Sequence, residues 1–176
     1  MDYSSFLMTS FKKVVQALDV NQVDFAVCGG MAYSILVSPR ATIDFDCLIM
    51  AHPNTLTEII RILEPLFDKI ISHSEPMQFK KARVFRTLGI DGENEYIMDF
   101  ILGETRFHQE ALSRKKRIDM EGISLPILTP EDLLLLKALA NRPQDRVDIS
   151  NIVDFFGDKL DRAYIENWKK EIQVEW

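Results

Sequence analysis

With 176 residues, of which 47% are hydrophobic and 27% charged, the chain has the length and composition of one self-folding globule, too short for a second core of ordinary size and unlike a disordered or fibrous sequence. Its 27 acidic residues against 21 Lys and Arg leave a formal charge of -6, which argues against a broad basic surface for nucleic acid. The apolar run Leu133 to Leu136 is closed by Lys137 well short of a membrane span, and Met1-Asp2-Tyr3 lacks the basic start of a secretion signal.

The first element predicted is an amphipathic helix over Ser4 to Asp19, with Leu7, Phe11, Val14, Val15 and Leu18 at helical spacing. After Asn21-Gln22, the strand formers Val23 to Cys28 run straight into Gly29-Gly30, a strand ending in a tight turn. Met31 to Val37 reads as a short buried helix stopped by Ser38-Pro39. Cys28 and Cys47 both fall within hydrophobic runs and read as buried thiols. His52, His73 and His108 are scattered rather than set at metal-ligand spacing, and the expected compartment is the reducing cytoplasm.

Ile43 to Met50 is predicted as a strand whose alternation places Asp44 and Asp46 on one face and Ile43, Phe45 and Cys47 on the other. A second amphipathic helix is expected over Thr55 to Leu66, capped by Asn54 or Thr55, with Leu56, Ile59, Ile60 and Leu63 as its stripe and Pro65 ending or kinking it. Strands over Ala82 to Ile90 and Glu95 to Leu102 flank the hairpin composition Asp91-Gly92-Glu93-Asn94, and the second of them carries Asp99. A helix over Thr105 to Ser113 and a small hairpin around Glu121-Gly122 follow. Thr129-Pro130-Glu131-Asp132 then caps a helix running to Ala140. Asn141-Arg142-Pro143 breaks the chain before two closing helices, with Ile149, Ile152, Val153 and Phe156 on one stripe and Ile165, Trp168 and Ile172 on the other. The expectation is one α/β domain over 1–176, a mixed sheet in a catalytic core over 1–128 and helices over 129–176.

The chemistry lies in Gly29-Gly30, thirteen residues, then Asp44-Phe45-Asp46. Glycines at a strand-to-helix turn let backbone N–H groups approach a phosphate, and a helix N-terminus favours negative charge there. Two carboxylates at i and i+2 on one strand face repel each other unless a divalent cation, Mg²⁺ being the natural one, sits between them. Asp99, in an otherwise apolar strand, is a third acid able to complete a two-metal site if its strand lies alongside.

Val27-Cys28-Gly29-Gly30 followed by Arg40-Ala41-Thr42-Ile43-Asp44-Phe45-Asp46-Cys47 resembles the signature of the DNA polymerase β-like nucleotidyltransferase superfamily. Together with Leu125 to Leu133 and Lys137, it resembles more nearly the small prokaryotic branch that includes AbiEii-like toxin nucleotidyltransferases, over about Asp24 to Asp148. The resemblance implies a mixed-sheet nucleotidyltransferase fold and attack of an acceptor hydroxyl on the α-phosphate of an NTP, with two Mg²⁺ ions held by Asp44, Asp46 and Asp99. It further implies nucleotide binding by Gly29, Gly30, Arg40 and Lys137, with Arg142, Asp145 and Asp148 contributing. The acceptor classes are RNA or the end of a tRNA, a protein hydroxyl, or a small hydroxylated molecule; an antitoxin or other protein is an implied partner, and no membrane is.

Plainer readings stand beside these. A lone glycine pair usually marks only a turn, and a lone Asp-x-Asp a solvated strand edge, so the site rests on their combination with Asp99. Arg40 also reads as a solvated loop residue, Lys137 as a polar position on a helix, and Asp145 and Asp148 as acids favoured by a helix start. The run Arg114 to Arg117, with Lys80, Lys81 and Arg83, reads either as a solvated charge run or as a strip touching RNA. Trp168 reads as core. The rival from another class is a catalytically silent nucleotide-binding or protein-interaction module on the same fold.

Overall fold

A computed structural model describes residues 3–79 and 81–176; Met1, Asp2 and Lys80, the last part of the predicted basic strip, lie outside the described residues. The elements in chain order are α1 (Tyr3–Val20), β1 (Phe25–Val27), α2 (Gly29–Leu36), β2 (Phe45–Met50), α3 (Thr55–Leu63), β3 (Lys69–Ser72), β4 (Met77–Phe79), β5 (Ala82–Asp91), β6 (Asn94–Gly103), α4 (Arg106–Arg114), β7 (Lys116–Met120), β8 (Ile123–Ile127), α5 (Pro130–Ala140), α6 (Pro143–Phe156) and α7 (Arg162–Ile172).

The strands form one eight-stranded mixed sheet in the order β3-β5-β6-β2-β1-β8-β7, with β4 paired to β5. Its centre is β2, antiparallel to β1 and parallel to β6. The β5–β6 hairpin turns at the predicted position, Asp91 facing Asn94, and its register runs back to Arg83 opposite Leu102. One sheet face is apolar: Phe45, Cys47, Met98, Phe100 and Phe85 are all buried there, and α1 closes over it with Phe11 5.8 Å from Phe45, ring centre to ring centre. Burial of this kind contributes roughly 25 cal/mol per Å² of apolar surface, which makes that face the main cohesive layer. The opposite face carries the acids.

Several expectations are corrected. The central strand begins at Phe45, so Asp44 sits in the bend just before it and Ile43 is exposed rather than buried with Phe45 and Cys47. Helix α3 ends at Leu63 and passes into a short 3₁₀ turn over Glu64–Leu66 that contains Pro65. Its buried stripe is Thr55, Ile59, Ile62 and Leu63, rotated from the predicted one. Neither Asn54 nor Thr55 caps that helix through its side chain; Thr55 Oγ1 instead accepts from His52 N at 2.8 Å. β3 and β4 have no counterpart in the sequence reading. They are four and three residues long and half-exposed, too short for alternation to register.

Two of the C-terminal helices, α5 and α7, are joined through one buried carboxylate. Asp132, in the first turn of α5 behind the Thr129 cap, accepts from Tyr164 Oη of α7 at 2.5 Å, from Thr129 Oγ1 at 2.6 Å and from Arg114 Nε of α4 at 3.3 Å. Three elements thus converge on a single acid that has no access to solvent. Tyr164→Phe removes one of its donors and is expected to cost about 1–3 kcal/mol in urea unfolding, whereas a fully exposed Tyr-to-Phe change would leave the midpoint unmoved.

Candidate nucleotidyltransferase site

The site begins where β1 ends. Cys28 N donates to the carbonyl of Asp46 at 2.9 Å, carrying the β1–β2 pairing one residue further, and the chain then turns sharply into α2. Gly29 makes that turn with φ at +60°, a left-handed backbone, and a Cβ there would overlap the Asp46 carboxylate. The next residue is equally confined: a Cβ on Gly30 would lie 2.6 Å from Thr42 Oγ1 and 3.1 Å from an Arg40 guanidinium nitrogen. Both glycines are therefore required by close approach, and Gly30 N donates to Asp46 Oδ2 at 3.3 Å.

Sheet register brings the acids to one face. Asp46 on β2 is directly opposite Asp99 on β6, and Asp99 is directly opposite Arg86 on β5, so Arg86, Asp99 and Asp46 form a row across three neighbouring strands. Burial, then the charge of Asp99, raises the Asp46 carboxyl to about 6; the same causes in the same order raise Asp44. Burial, followed by the charge of Asp46, also pushes the Cys28 and Cys47 thiols upward, and both cysteines are buried and unpaired with each other. These thiols are inert packing.

Asp44 Oδ1 is buried without a hydrogen-bond partner, an orphan acceptor of the kind a bound cation satisfies. Asp44 lies near enough for its charge to raise Asp46, and both are raised chiefly by burial, so the two carboxylates fit a divalent ion. Asp99 departs from the expectation: it holds the Arg86 guanidinium in a fork, Oδ1 to Nε at 2.7 Å and Oδ2 to Nη2 at 2.6 Å. Among the described residues no three His, Cys, Asp or Glu side chains are already gathered as a metal cage, and Asp99 is turned to Arg86. Arg86 was missed in the sequence, yet counting outward from the Asp91–Asn94 turn would have put it opposite Asp99.

The remaining candidates form a second, buried network beside the turn. Asp148, almost wholly buried on α6, accepts from Lys137 Nζ at 2.6 Å through Oδ2, and from Gln144 Nε2 at 3.0 Å and Arg40 Nη1 at 3.2 Å through Oδ1. Asp145 does serve its helix start, accepting from Arg142 N at 3.0 Å, but it is also buried, forked by the Arg142 guanidinium and 3.8 Å from Lys137 Nζ. Lys137 Nζ and the Arg40 guanidinium both lie over the Tyr33 ring of α2, at 5.7 and 5.3 Å from its centre. Arg142 is near enough to lower the carboxyls of Asp44 and Asp46 against burial. The plainer readings, Lys137 as a polar helix position and Asp148 as an acid favoured by a helix start, thus give way to a buried ion network. Arg40 keeps a buried Nε with no acceptor of its own.

Three of the four residues in the basic run are otherwise engaged. Arg114 pairs with Asp132 and Glu131, Lys115 with Asp24 at 2.5 Å, and Arg117 with Asp19. Trp168 is buried against Phe107, as its stripe implied.

The sequence profile of the family described as nucleotidyltransferase of unknown function (DUF6036) matches residues 6–168, and the chain belongs to that family. No curated protein matches the sequence. Among solved structures, the fold is shared with an antigenic nucleotidyltransferase-like protein from Paracoccidioides brasiliensis, with 20% identity, TM-score 0.55, and 84% of this chain and 76% of that one covered. It is shared too with a nucleotidyltransferase structure from Thermotoga maritima, with 14% identity, TM-score 0.53 and coverage of 97% and 96%. A third is ANT(2")-Ia in complex with adenylyl-2"-tobramycin, with 13% identity, TM-score 0.58 and coverage of 92% and 93%. The mixed-sheet nucleotidyltransferase fold expected from the glycine and Asp-x-Asp signature is the fold observed.

Gly29→Ala forces a methyl into the Asp46 carboxylate and a left-handed φ on an L-residue; it is expected to lower stability by about 1–3 kcal/mol and to abolish saturable NTP binding in calorimetry. A second expectation concerns pH. Because the folded Asp46 carboxyl is raised to about 6, its ionisation disfavours the fold above that pH, and the penalty disappears once it is protonated in both states below about pH 4. In EDTA, Asp46→Asn is therefore stabilised relative to the parent at pH 7.5, and that advantage shrinks by roughly 2–3 kcal/mol on going to pH 4; a pH-independent difference in melting would contradict it.

Proposed function

We propose that the chain is a single nucleotidyltransferase domain that transfers a nucleoside monophosphate from an NTP to an acceptor hydroxyl with Mg²⁺. The observation that carries this reading is the Asp46 carboxylate lying against the Gly29–Gly30 turn, with the orphan Asp44 oxygen on a carboxylate close enough to raise Asp46 by its charge. Gly29 and Gly30 at the start of α2 would present backbone N–H groups to phosphate oxygens, Gly30 by giving up its long bond to Asp46. Arg40 and Lys137, held beside that turn by Asp148, offset the charge of the β- and γ-phosphates. Arg142, steadied by Asp145, lies where it offsets negative charge near Asp46.

Asp44 and Asp46 would hold Mg²⁺, which when bound supplies positive charge to the reacting phosphate and the departing pyrophosphate. Asp99, released from Arg86, would hold a second ion or take the acceptor's proton. The acceptor we favour is a cationic small hydroxylated molecule or a protein hydroxyl rather than RNA, because the net charge is -6 and Arg114, Lys115 and Arg117 are engaged in ion pairs. The structural neighbour solved with adenylyl-2"-tobramycin supports the first of these. An antitoxin-like protein partner and a cytoplasmic setting belong to the same reading, on the resemblance to toxin nucleotidyltransferases and the two buried free thiols.

One observation favours a second reading, the catalytically silent nucleotide-binding module: Asp99, the third acid, is fully engaged by Arg86. Incubation with Mg²⁺ and each α-labelled NTP, in the presence of aminoglycosides, a protein extract or total RNA, separates the two. The enzyme reading predicts label on one acceptor, lost in Asp46→Ala. Saturable nucleotide binding with no labelled acceptor in any mixture supports the module.

A further inference from the structure

We infer that Arg86 is a built-in competitor for the second metal position, a positioning residue that holds the nucleotide-free protein to one divalent ion at Asp44 and Asp46. The inference rests on the metal-dependent reading above and adds to it a residue outside the Gly-Gly and Asp-x-Asp signature.

Three observations carry it. Sheet register fixes Arg86 directly opposite Asp99, which itself lies directly opposite Asp46, so the guanidinium is built into the row of acids rather than reaching it from a loop. The pairing is a two-point fork that uses both carboxylate oxygens, at 2.7 and 2.6 Å. A cation approaching Asp99 meets a guanidinium already seated on both oxygens and must compete with its charge for them. Asp44, by contrast, keeps a buried oxygen with no partner, whereas both oxygens of Asp99 are taken by Arg86.

Arg86 is also free to leave. Its side chain is 43% exposed whereas Asp99 is 12% exposed, so the guanidinium can exchange its carboxylate for water or for an anion without opening the core. A bound triphosphate is such an anion, and a guanidinium suits phosphate oxygens as well as it suits a carboxylate. Arrival of the nucleotide therefore frees Asp99 for a second ion, and assembly of the full site is coupled to substrate. The coupling is reciprocal: whatever weakens the Arg86–Asp99 fork strengthens the second metal position.

Mn²⁺ titration followed by electron paramagnetic resonance on the nucleotide-free protein tests this, with Arg86→Gln, Arg86→Lys and Asp99→Asn alongside and thermal melts to establish that each variant is folded. The parent is expected to bind one Mn²⁺. Arg86→Gln gains a second ion, or binds at least tenfold more tightly; Arg86→Lys, which keeps the charge but not the fork, falls between; Asp99→Asn matches the parent, and the Arg86→Gln gain is lost when combined with it. Two ions on the parent, or unchanged number and affinity in Arg86→Gln, overturns the role of Arg86 alone. Absence of Mn²⁺ binding from every folded variant overturns it together with the metal-dependent reading.

Discussion

The Asp46 carboxylate and the Gly29 backbone occupy adjoining space with no room for a methyl group between them. That contact constrains everything around it. It demands a left-handed residue just past the end of β1, and it starts α2 immediately above the central strand, so that the helix's first N–H groups and the half-buried Asp46 carboxylate share one small volume. A carboxylate placed there is held against its own tendency: burial and Asp99 push it toward the protonated form, and the Gly30 N–H only partly opposes them. The fold tolerates this cost because the other side of the same strand, Phe45 and Cys47 beneath α1, lies in the apolar core.

Around this point the structure sorts its charges into two groups. On the sheet, Arg86, Asp99 and Asp46 are aligned by strand register alone. Between the helices, Asp148 gathers Lys137, Arg40 and Gln144, while Asp145 takes Arg142. A buried ion pair is weak evidence for stability, because desolvation offsets the attraction. Here the network instead fixes cations close to the glycine turn, where a polyphosphate would need them, and the Tyr33 ring beneath Lys137 and Arg40 restricts where they can move.

Much of the fold and site is legible in the sequence. Gly29-Gly30 and Asp44-Phe45-Asp46 carry rare requirements, a positive φ and two acids at the start of a central strand, that core packing alone does not impose together. The β5–β6 hairpin is legible because its turn composition is unambiguous, and α5 because Thr129-Pro130-Glu131-Asp132 caps it. What is not legible depends on tertiary context. The stripe of α3 is rotated because packing, rather than periodicity alone, chooses which side to bury, and β3 and β4 are too brief to leave a pattern. The pairing of Asp99 is hidden for a different reason: its partner Arg86 lies thirteen residues away, and only the hairpin register shows that they meet. Asp148 looks like an ordinary helix-start acid because its partners come from α5 and from the loop before β2, distant in sequence.

The central claim is that Asp44, Asp46 and the glycine turn together form a metal-dependent nucleotide site. Titration calorimetry of an NTP into the parent protein and into Asp44→Asn, with Mg²⁺ and then with EDTA, tests it most directly. The account predicts saturable binding to the parent that requires Mg²⁺ and that weakens at least tenfold in the folded variant. Equal affinity with and without Mg²⁺, or a variant that binds as tightly as the parent, would contradict it.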